Sequence, residues 1–143
     1  MFVIRPVEDK GVQEELCGVC GCSYIAEDFA YFAANIAPDG SKLLGILGIC
    51  QFAFKNDCGI VHNLQPAPET FDEEVMIIMI RTAMEFIHRC GGKAMVLADG
   101  ACDTAFAEQI GFRLTDGIYR IDLVEFYKSP CSFQAKLAKS HEE

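Results

Sequence analysis

The segment spanning residues 75–90 constrains the fold most strongly, because its apolar positions follow the period of a single helix face. The spacing of three and four residues is typical of a helix that packs on a core. The residues on this face are Val75, Ile78, Met79, Thr82, Ala83, Phe86, Ile87 and Cys90. Gly91 and Gly92 follow directly and end the predicted helix.

Strand patterns dominate the chain before this helix. The predicted elements are a strand over 2–7, a helix over 8–17 and strands over 29–37, 42–54 and 58–64. The sequence Pro-Asp-Gly-Ser at 38–41 is a strong turn signal, which makes the second and third strands a hairpin. The middle of the chain is therefore predicted to be an antiparallel meander.

After the long helix we predict a strand over 93–98, a helix over 101–110 and a final hairpin. Its turn lies at 115–117, and its second arm is predicted to run from 118 to 126 with Tyr119, Ile121 and Leu123 on one side. Residues 1–127 form one predicted domain, and residues 128–143 form a polar C-terminal tail.

Composition excludes several classes of protein. The chain has 143 residues, 51% of them hydrophobic, which is enough for one core. Its longest purely apolar stretch, residues 75–80, is too short to cross a bilayer of about 30 Å, and its N-terminus does not resemble a signal peptide. We therefore predict a cytoplasmic protein with no membrane partner. The formal net charge of −9 argues against nucleic acid as a partner.

The eight cysteines are predicted to be reduced thiols, because no secretion signal accompanies them. Cys17, Cys20 and Cys22 have a C-x-x-C-x-C spacing that could supply three thiolates to zinc or to a cluster, although no fourth ligand is apparent. A redox role for Cys17 and Cys20 is a further alternative, without a neighbouring cation to lower a thiol pKa. The other interpretation is a loop of small residues packed under the meander.

Two segments carry a resemblance to a known family. Residues 106–112 read Phe-Ala-Glu-Gln-Ile-Gly-Phe, and residues 58–68 read as a strand that ends in prolines before the long helix. Together with the order of elements, they resemble the GNAT acetyltransferase superfamily. The resemblance implies an α/β fold with a mixed, mostly antiparallel sheet of about six to seven strands flanked by helices.

The resemblance also identifies a motif that this chain lacks. In GNAT proteins the pyrophosphate of acetyl-coenzyme A rests on an Arg-Gly-x-Gly-x-Gly/Ala turn that opens the long helix. Aligned on Pro68, the arginine position holds Phe71, and the glycine positions hold Asp72, Glu74 and Met76. Four carboxylates crowd this turn, those of Glu69, Asp72, Glu73 and Glu74. We expect them to repel a polyanion.

Thr70 and Glu73 have the spacing of a capping box, which predicts that the helix caps its own N-terminus. Two other GNAT positions also differ. The tyrosine that protonates the departing thiolate in many members falls on Ala107, and the asparagine that holds the cofactor arm falls on Gly100. Three coordinated differences indicate that standard acetyl-coenzyme A chemistry is lost.

The candidate cleft residues lie between the strands predicted over 58–64 and 93–98. They are His62, Asn63, Leu64, Asp99 and Phe106. The alternatives are that His62 is an ordinary strand residue, that Asp99 is a helix N-cap and that Phe106 belongs to the core. If acetyl-coenzyme A is retained, the resemblance implies that it is held by Leu64, Phe71, Asp72, Glu73, Glu74 and Val75.

Three functions follow as alternatives. The first is a GNAT-like ligand-binding or protein-interaction module without standard acetyl-coenzyme A catalysis; the second is an N-acetyltransferase acting on an amine; the third is a cysteine-cluster metal or redox protein. A second apolar row on the long helix, formed by Met76, Ile77, Ile80 and Met84, is covered either by a second subunit or by other parts of the chain. Cover by a second subunit would make the protein a homodimer.

Overall fold

The computed structural model describes residues 1–128 as seven strands and four helices. In chain order they are β1 (Phe2–Pro6), α1 (Lys10–Cys20), β2 (Phe29–Ile36), β3 (Leu43–Lys55), β4 (Cys58–Pro66), α2 (Glu73–Arg89), β5 (Ala94–Leu97), α3 (Thr104–Ile110), β6 (Arg113–Thr115), β7 (Ile118–Asp122) and α4 (Leu123–Lys128). None of the helices in this part of the chain has both the length and the apolar character needed to span a bilayer.

The strands form one sheet in the order β1-β2-β3-β4-β5-β7-β6. Within residues 1–128, β4 and β5 are parallel and every other neighbouring pair is antiparallel. Helix α2 makes the crossover between the two parallel strands, as a parallel pair requires. The predicted mixed, mostly antiparallel sheet with flanking helices is confirmed.

Helix α2 covers the main core. Val75, Met79 and Ile87 of the predicted face are buried. Ile78 is 38% exposed and Cys90 is exposed, so the predicted face is wrong at these two positions. The second apolar row of the helix is buried. Met76, Ile80 and Met84 are each at most 1% exposed within this chain, and Ile77 is half-buried. The row is therefore covered mainly by other parts of the same chain, and the homodimer stays a prediction.

The predicted capping box at the start of α2 is wrong. Asp72 is the N-cap, and its carboxylate accepts the Val75 N–H at 3.2 Å. Thr70 lies two residues too early, because the chain first makes a turn in which the Thr70 hydroxyl donates to the Ala67 carbonyl at 2.8 Å. Glu69 has a φ of 62° in this turn.

Two further boundaries differ from the prediction. The second arm of the last hairpin ends at Asp122 and continues as α4, whose buried residues Leu123 and Phe126 are three positions apart. The predicted strand to residue 126 is therefore wrong after its first five residues. Helix α3 begins at Thr104 with Asp103 at the N-cap position, so the alternative of Asp99 as an N-cap is also wrong.

The C-x-x-C-x-C segment is not a loop throughout. Helix α1 begins two residues later and ends three residues later than predicted. It runs past Cys17, because Gly18 is accommodated within it and Gly21 provides the left-handed C-cap at φ 73°. Cys17 and Cys20 face the interior on this helix, where they are 1% and 3% exposed. The predicted tail lies outside the described residues, apart from Lys128, which ends α4.

Candidate functional site

Strand β4 carries a β-bulge at His62. In the pairing with β3, Gln51 is opposite Asn63 and Phe52 is opposite Val61, so His62 is the extra residue. A bulge bends its strand and re-aims a side chain. The regular pairing of β4 with β5 also ends here, at the pair Val61 and Leu97. The bulge thus lies where the two parallel strands stop pairing.

His62 forms a hydrogen-bonded pair with Asp28, which precedes β2. The His62 Nδ1 lies 2.6 Å from the Asp28 Oδ2. The Asp28 side chain is 2% exposed, whereas the His62 ring is 31% exposed. Burial raises the pKa of Asp28, while the hydrogen bond to His62 and the charge of Lys10 oppose that shift. A carboxylate that holds one ring nitrogen leaves the other, Nε2, to accept or donate a proton.

A network of buried side-chain amides lies beside this pair, with Gln51 at its centre. The Gln51 Oε1 accepts from the Gln13 amide at 2.9 Å and from the Ile25 N–H at 3.1 Å. Its Nε2 donates to the Ser23 carbonyl at 2.8 Å and to the Asn63 Oδ1 at 2.6 Å. Asn63 is therefore engaged in connecting β4 to β3. Gln13 and Gln51 are completely buried, so these bonds replace water.

Lys10 joins the network to the pair. Its ammonium group donates to the Gln13 Oε1 at 3.1 Å and to the Asp28 carbonyl. Helix α1, the segment before β2 and the bulge on β4 are thereby held together by polar contacts. Asp28 is a functional candidate that the sequence analysis missed, because its partner lies 34 positions away in the chain.

We expect the substitution Asp28→Asn to make the free energy of unfolding, relative to that of the parent protein, higher at neutral pH than at acid pH. The folded pKa of Asp28 lies above the unfolded value of about 3.9, so the unfolded chain ionises first. The stabilising contribution of this group is therefore present at low pH and lost as the pH rises through the folded pKa. An asparagine side chain at this position would still accept the His62 N–H, and it would not suffer that loss.

Urea denaturation of both proteins between about pH 4 and pH 8 measures this difference. The matched control is Asp39→Asn, because hydrogen bonds from Ser41 lower the pKa of the fully exposed Asp39. The Asp39 contribution is lost only below about pH 4, so within this range the control should differ from the parent by a constant amount. A constant stability difference between D28N and the parent at all pH values would contradict the prediction.

A second region is an apolar hollow of about 310 Å³ at the start of α2. Leu64, Met76 and Phe106 contribute to its lining, and Phe71 packs edge-on against Phe106 with ring centroids 5.5 Å apart. Neither lysine nor arginine is among the described residues that line it. The Leu64 N–H, on the strand expected to hold a cofactor, instead donates to the Ala101 carbonyl at 2.8 Å.

The electrostatics at this end of α2 are negative. Asp72 uses its carboxylate to accept a helix N–H, and Glu73 accepts a hydrogen bond from Gln109. Glu74 is exposed in the first turn, and Glu69 lies in the preceding turn. Carboxylates thus occupy the positive end of the helix dipole, where an external anion would otherwise bind.

Asp99 lies in a third, smaller hollow of about 120 Å³. Gly100, Ala107 and Tyr119 line the same hollow, and Cys102 borders both this one and the apolar hollow. The predicted cleft residues are thus distributed over three surroundings. His62 and Asn63 belong to the polar network, Leu64 and Phe106 to the apolar hollow, and Asp99 to the small one.

The cysteines of the C-x-x-C-x-C segment are poor ligands as they stand. Burial raises the pKa of Cys17 and that of Cys20 to about 12, and burial also raises the pKa of Cys22. These thiols are therefore protonated at neutral pH. In the part of the chain that the structure describes, no group of three or more His, Cys, Asp and Glu side chains is arranged to hold a metal ion. Nothing here supports the metal or redox alternative.

Known structures share this architecture. The ribosomal-protein-S18-alanine N-acetyltransferase from Escherichia coli gives a TM-score of 0.62 at 12% identity over 86% of this chain and 94% of that one. An IAA acetyltransferase from Bacillus cereus gives 0.62 at 13% identity over 84% and 97%, respectively. PaiA N-acetyltransferase from Thermoplasma acidophilum, in complex with coenzyme A, gives 0.60 at 16% identity over 85% and 99%.

The chain has the GNAT fold. No protein-family model matches the sequence and no curated protein matches it significantly, so the likeness is one of fold. Ala107, which the sequence analysis aligned with a GNAT tyrosine, is buried on α3. Gly100, which it aligned with an asparagine, has a φ of 76°.

Proposed function

We propose that this GNAT-fold chain is a ligand-binding or protein-interaction module that does not use acetyl-coenzyme A. The observation that carries the proposal is the cap at the start of α2. There the Asp72 carboxylate accepts the Val75 N–H, a group that would otherwise face an anion. A bound pyrophosphate would have to displace this carboxylate and then lie beside it.

The electrostatic energies at the start of α2 favour exclusion of a pyrophosphate. A helix N-terminus stabilises an anion by about 0.3–1 kcal/mol at an exposed site. Two unit charges of the same sign about 4 Å apart near a protein surface repel by about 4 kcal/mol. Asp72, Glu73 and Glu74 are all exposed at this helix start, and the apolar hollow beside them contributes no described basic side chain to offset the repulsion.

The backbone of β4 supports the same conclusion. A cofactor arm held along β4 would need the Leu64 N–H as a donor, and Ala101 already accepts it at 2.8 Å. The segment before α3 therefore occupies the position next to β4 where the arm was expected. Phe71 and Phe106 close one side of the hollow with an edge-to-face contact.

Isothermal titration with acetyl-coenzyme A at physiological salt tests the proposal. We expect no binding at ligand concentrations up to about 1 mM, which means a binding free energy weaker than about −4 kcal/mol. A thiol-release assay with a panel of amines is expected to give no turnover above the buffer rate. Binding in the micromolar range would overturn the proposal.

The Asp28–His62 pair favours one second candidate, an N-acetyltransferase that acts on an amine. In that reaction His62 would remove a proton from the amine, and the amine nitrogen would bond to the acetyl carbon. The carbon–sulfur bond would then break, and protonation of the sulfur would release coenzyme A as a thiol. Similar folds in known N-acetyltransferases support this candidate. Turnover in the thiol-release assay that disappears in His62→Gln would establish it and contradict the first proposal.

We also propose that the protein acts in the cytoplasm, where buried thiols such as Cys17 and Cys20 stay reduced.

Self-association remains a proposal as well. It is supported by exposed apolar side chains on the terminal hairpin of the sheet, where Leu114 is 60% and Ile118 is 51% exposed. Sedimentation analysis distinguishes a monomer from a dimer.

A further inference from the structure

We propose a binding site for an organic ammonium cation at the end of the sheet where β1 ends and β2 begins. A cavity of about 370 Å³ lies there, beneath the C-terminal half of α2. Among residues 1–128, none that lines this cavity also lines the apolar hollow at the start of α2. The inference therefore does not depend on whether acetyl-coenzyme A binds.

Aromatic rings form one wall of this cavity. Phe29 opens β2 and Tyr31 follows on the same face, while the fully buried Phe52 lies behind them, opposite Phe29 on β3. The Phe29 ring centroid lies 5.1 Å from that of Phe86 and 5.8 Å from that of Phe52. Phe29 is 49% exposed, so much of its surface meets the cavity rather than the core. The ring faces of such a wall attract a cation that comes within about 6 Å of a ring centroid.

The rim of the cavity is negatively charged. Glu8 and Glu27 are exposed there. Lys10, which also lines the cavity, directs its ammonium group to the Gln13 side chain and the Asp28 carbonyl. The Asp28 carboxylate is held by His62. The carboxylates of Glu8 and Glu27 are therefore the negative charges that would attract a cationic ligand.

Charges on α2 near the cavity balance each other. Arg89 and Glu85 lie close enough to Tyr31 to affect its pKa in opposite directions, and they pair with each other at 3.8 Å. The net charge of −9 for the whole chain favours the approach of cations over anions. Aromatic faces together with unbalanced carboxylates select an alkylated ammonium ion over an anion or a neutral molecule.

The volume suits a small ligand. Cavities that bind small molecules usually measure about 300–1,000 Å³, and this one is at the lower end of that range. A trimethylammonium head with one short substituent is the appropriate probe. Choline has this shape, and 3,3-dimethylbutan-1-ol has the same shape without the charge.

The experiment is an NMR titration of the full chain with each of these two compounds. We expect choline to bind with shifts centred on Phe29, Tyr31 and Phe86, and the neutral alcohol to bind about tenfold more weakly. Phe29→Leu keeps an apolar side chain but removes the ring, and is expected to weaken choline binding by about tenfold. The matched control is Phe71→Leu, because Phe71 is the exposed phenylalanine at the other end of α2.

Glu27→Gln provides a second variant on an exposed residue, in case Phe29→Leu disturbs folding, and is expected to weaken choline binding by about threefold. Equal affinities for choline and the alcohol would overturn the proposal, as would no binding of choline or tetramethylammonium at about 20 mM. Self-association that Phe29→Leu abolishes, without any choline binding, would assign the cavity to a contact between two copies and would also overturn it.

Discussion

Replacing Gln51 with leucine is expected to lower the free energy of unfolding by about 3–5 kcal/mol. The substitution leaves the Ile25 N–H and the Asn63 Oδ1 without the bonds that Gln51 gives them. The fully buried Gln13 amide loses its closest acceptor, and the carbonyl of the exposed Ser23 loses its donor. Each buried polar group left unpaired costs about 1–3 kcal/mol, whereas leucine fills much the same volume, so the loss comes from the polar groups.

Chemical denaturation measures this change, and Gln65→Leu is the matched control. Gln65 is on the neighbouring strand β4, half-buried beside the apolar hollow. We expect this control to change stability by less than about 1 kcal/mol. A loss for Gln51→Leu no larger than that of the control would show that the amide network contributes little to the fold.

Replacing Gly92 with alanine is expected to destabilise the protein by about 3 kcal/mol. A Cβ at this position would lie 2.3 Å from the Ile87 Cγ2, 2.8 Å from the Ile87 carbonyl oxygen and 3.0 Å from the Phe54 ring. The carbonyl belongs to the helix backbone and accepts the Gly92 N–H, so it cannot move aside without weakening the end of α2. Relief of the clash therefore requires a shift of the turn into β5.

The control is Gly18→Ala, for which an added Cβ meets no atom within 4 Å. Gly18 lies inside α1, where alanine is favoured over glycine by about 0.5–1 kcal/mol. The two substitutions should therefore shift the thermal midpoint in opposite directions. A Gly92→Ala protein as stable as its parent would mean that the turn after α2 is more adaptable than the contacts of Gly92 indicate.

Periodicity predicted the larger elements because burial imposes it directly. Helix α2 repeats its apolar residues over four turns, and the hairpin of β2 and β3 has a strong turn signal between two apolar runs. The predicted end of β7 is wrong because the sequence pattern there fits both a strand and a helix. Ile121 and Leu123 are two positions apart, as on one face of a strand. Leu123 and Phe126 are three positions apart, which also fits one face of the helix that forms.

The candidate site was less predictable, because its contacts join distant parts of the chain. Asp28 is an ordinary acidic residue in the sequence, and the bulge at His62 that brings the two together depends on the register between β3 and β4. The start of α2 shows a different difficulty. Thr70 and Asp72 are both good N-cap residues, and the preceding turn, not local preference, decides between them.

The parallel pairing of β4 with β5 also has a consequence for the order of folding. The hairpins of the meander close over short turns, whereas the pairing of Cys58 with Ala94 closes a loop that contains the whole of α2. Closing that longer loop costs more entropy, so this pairing is expected late in assembly. Substitutions that weaken the contacts between β4 and β5 are therefore expected to raise the unfolding rate more than they lower the folding rate.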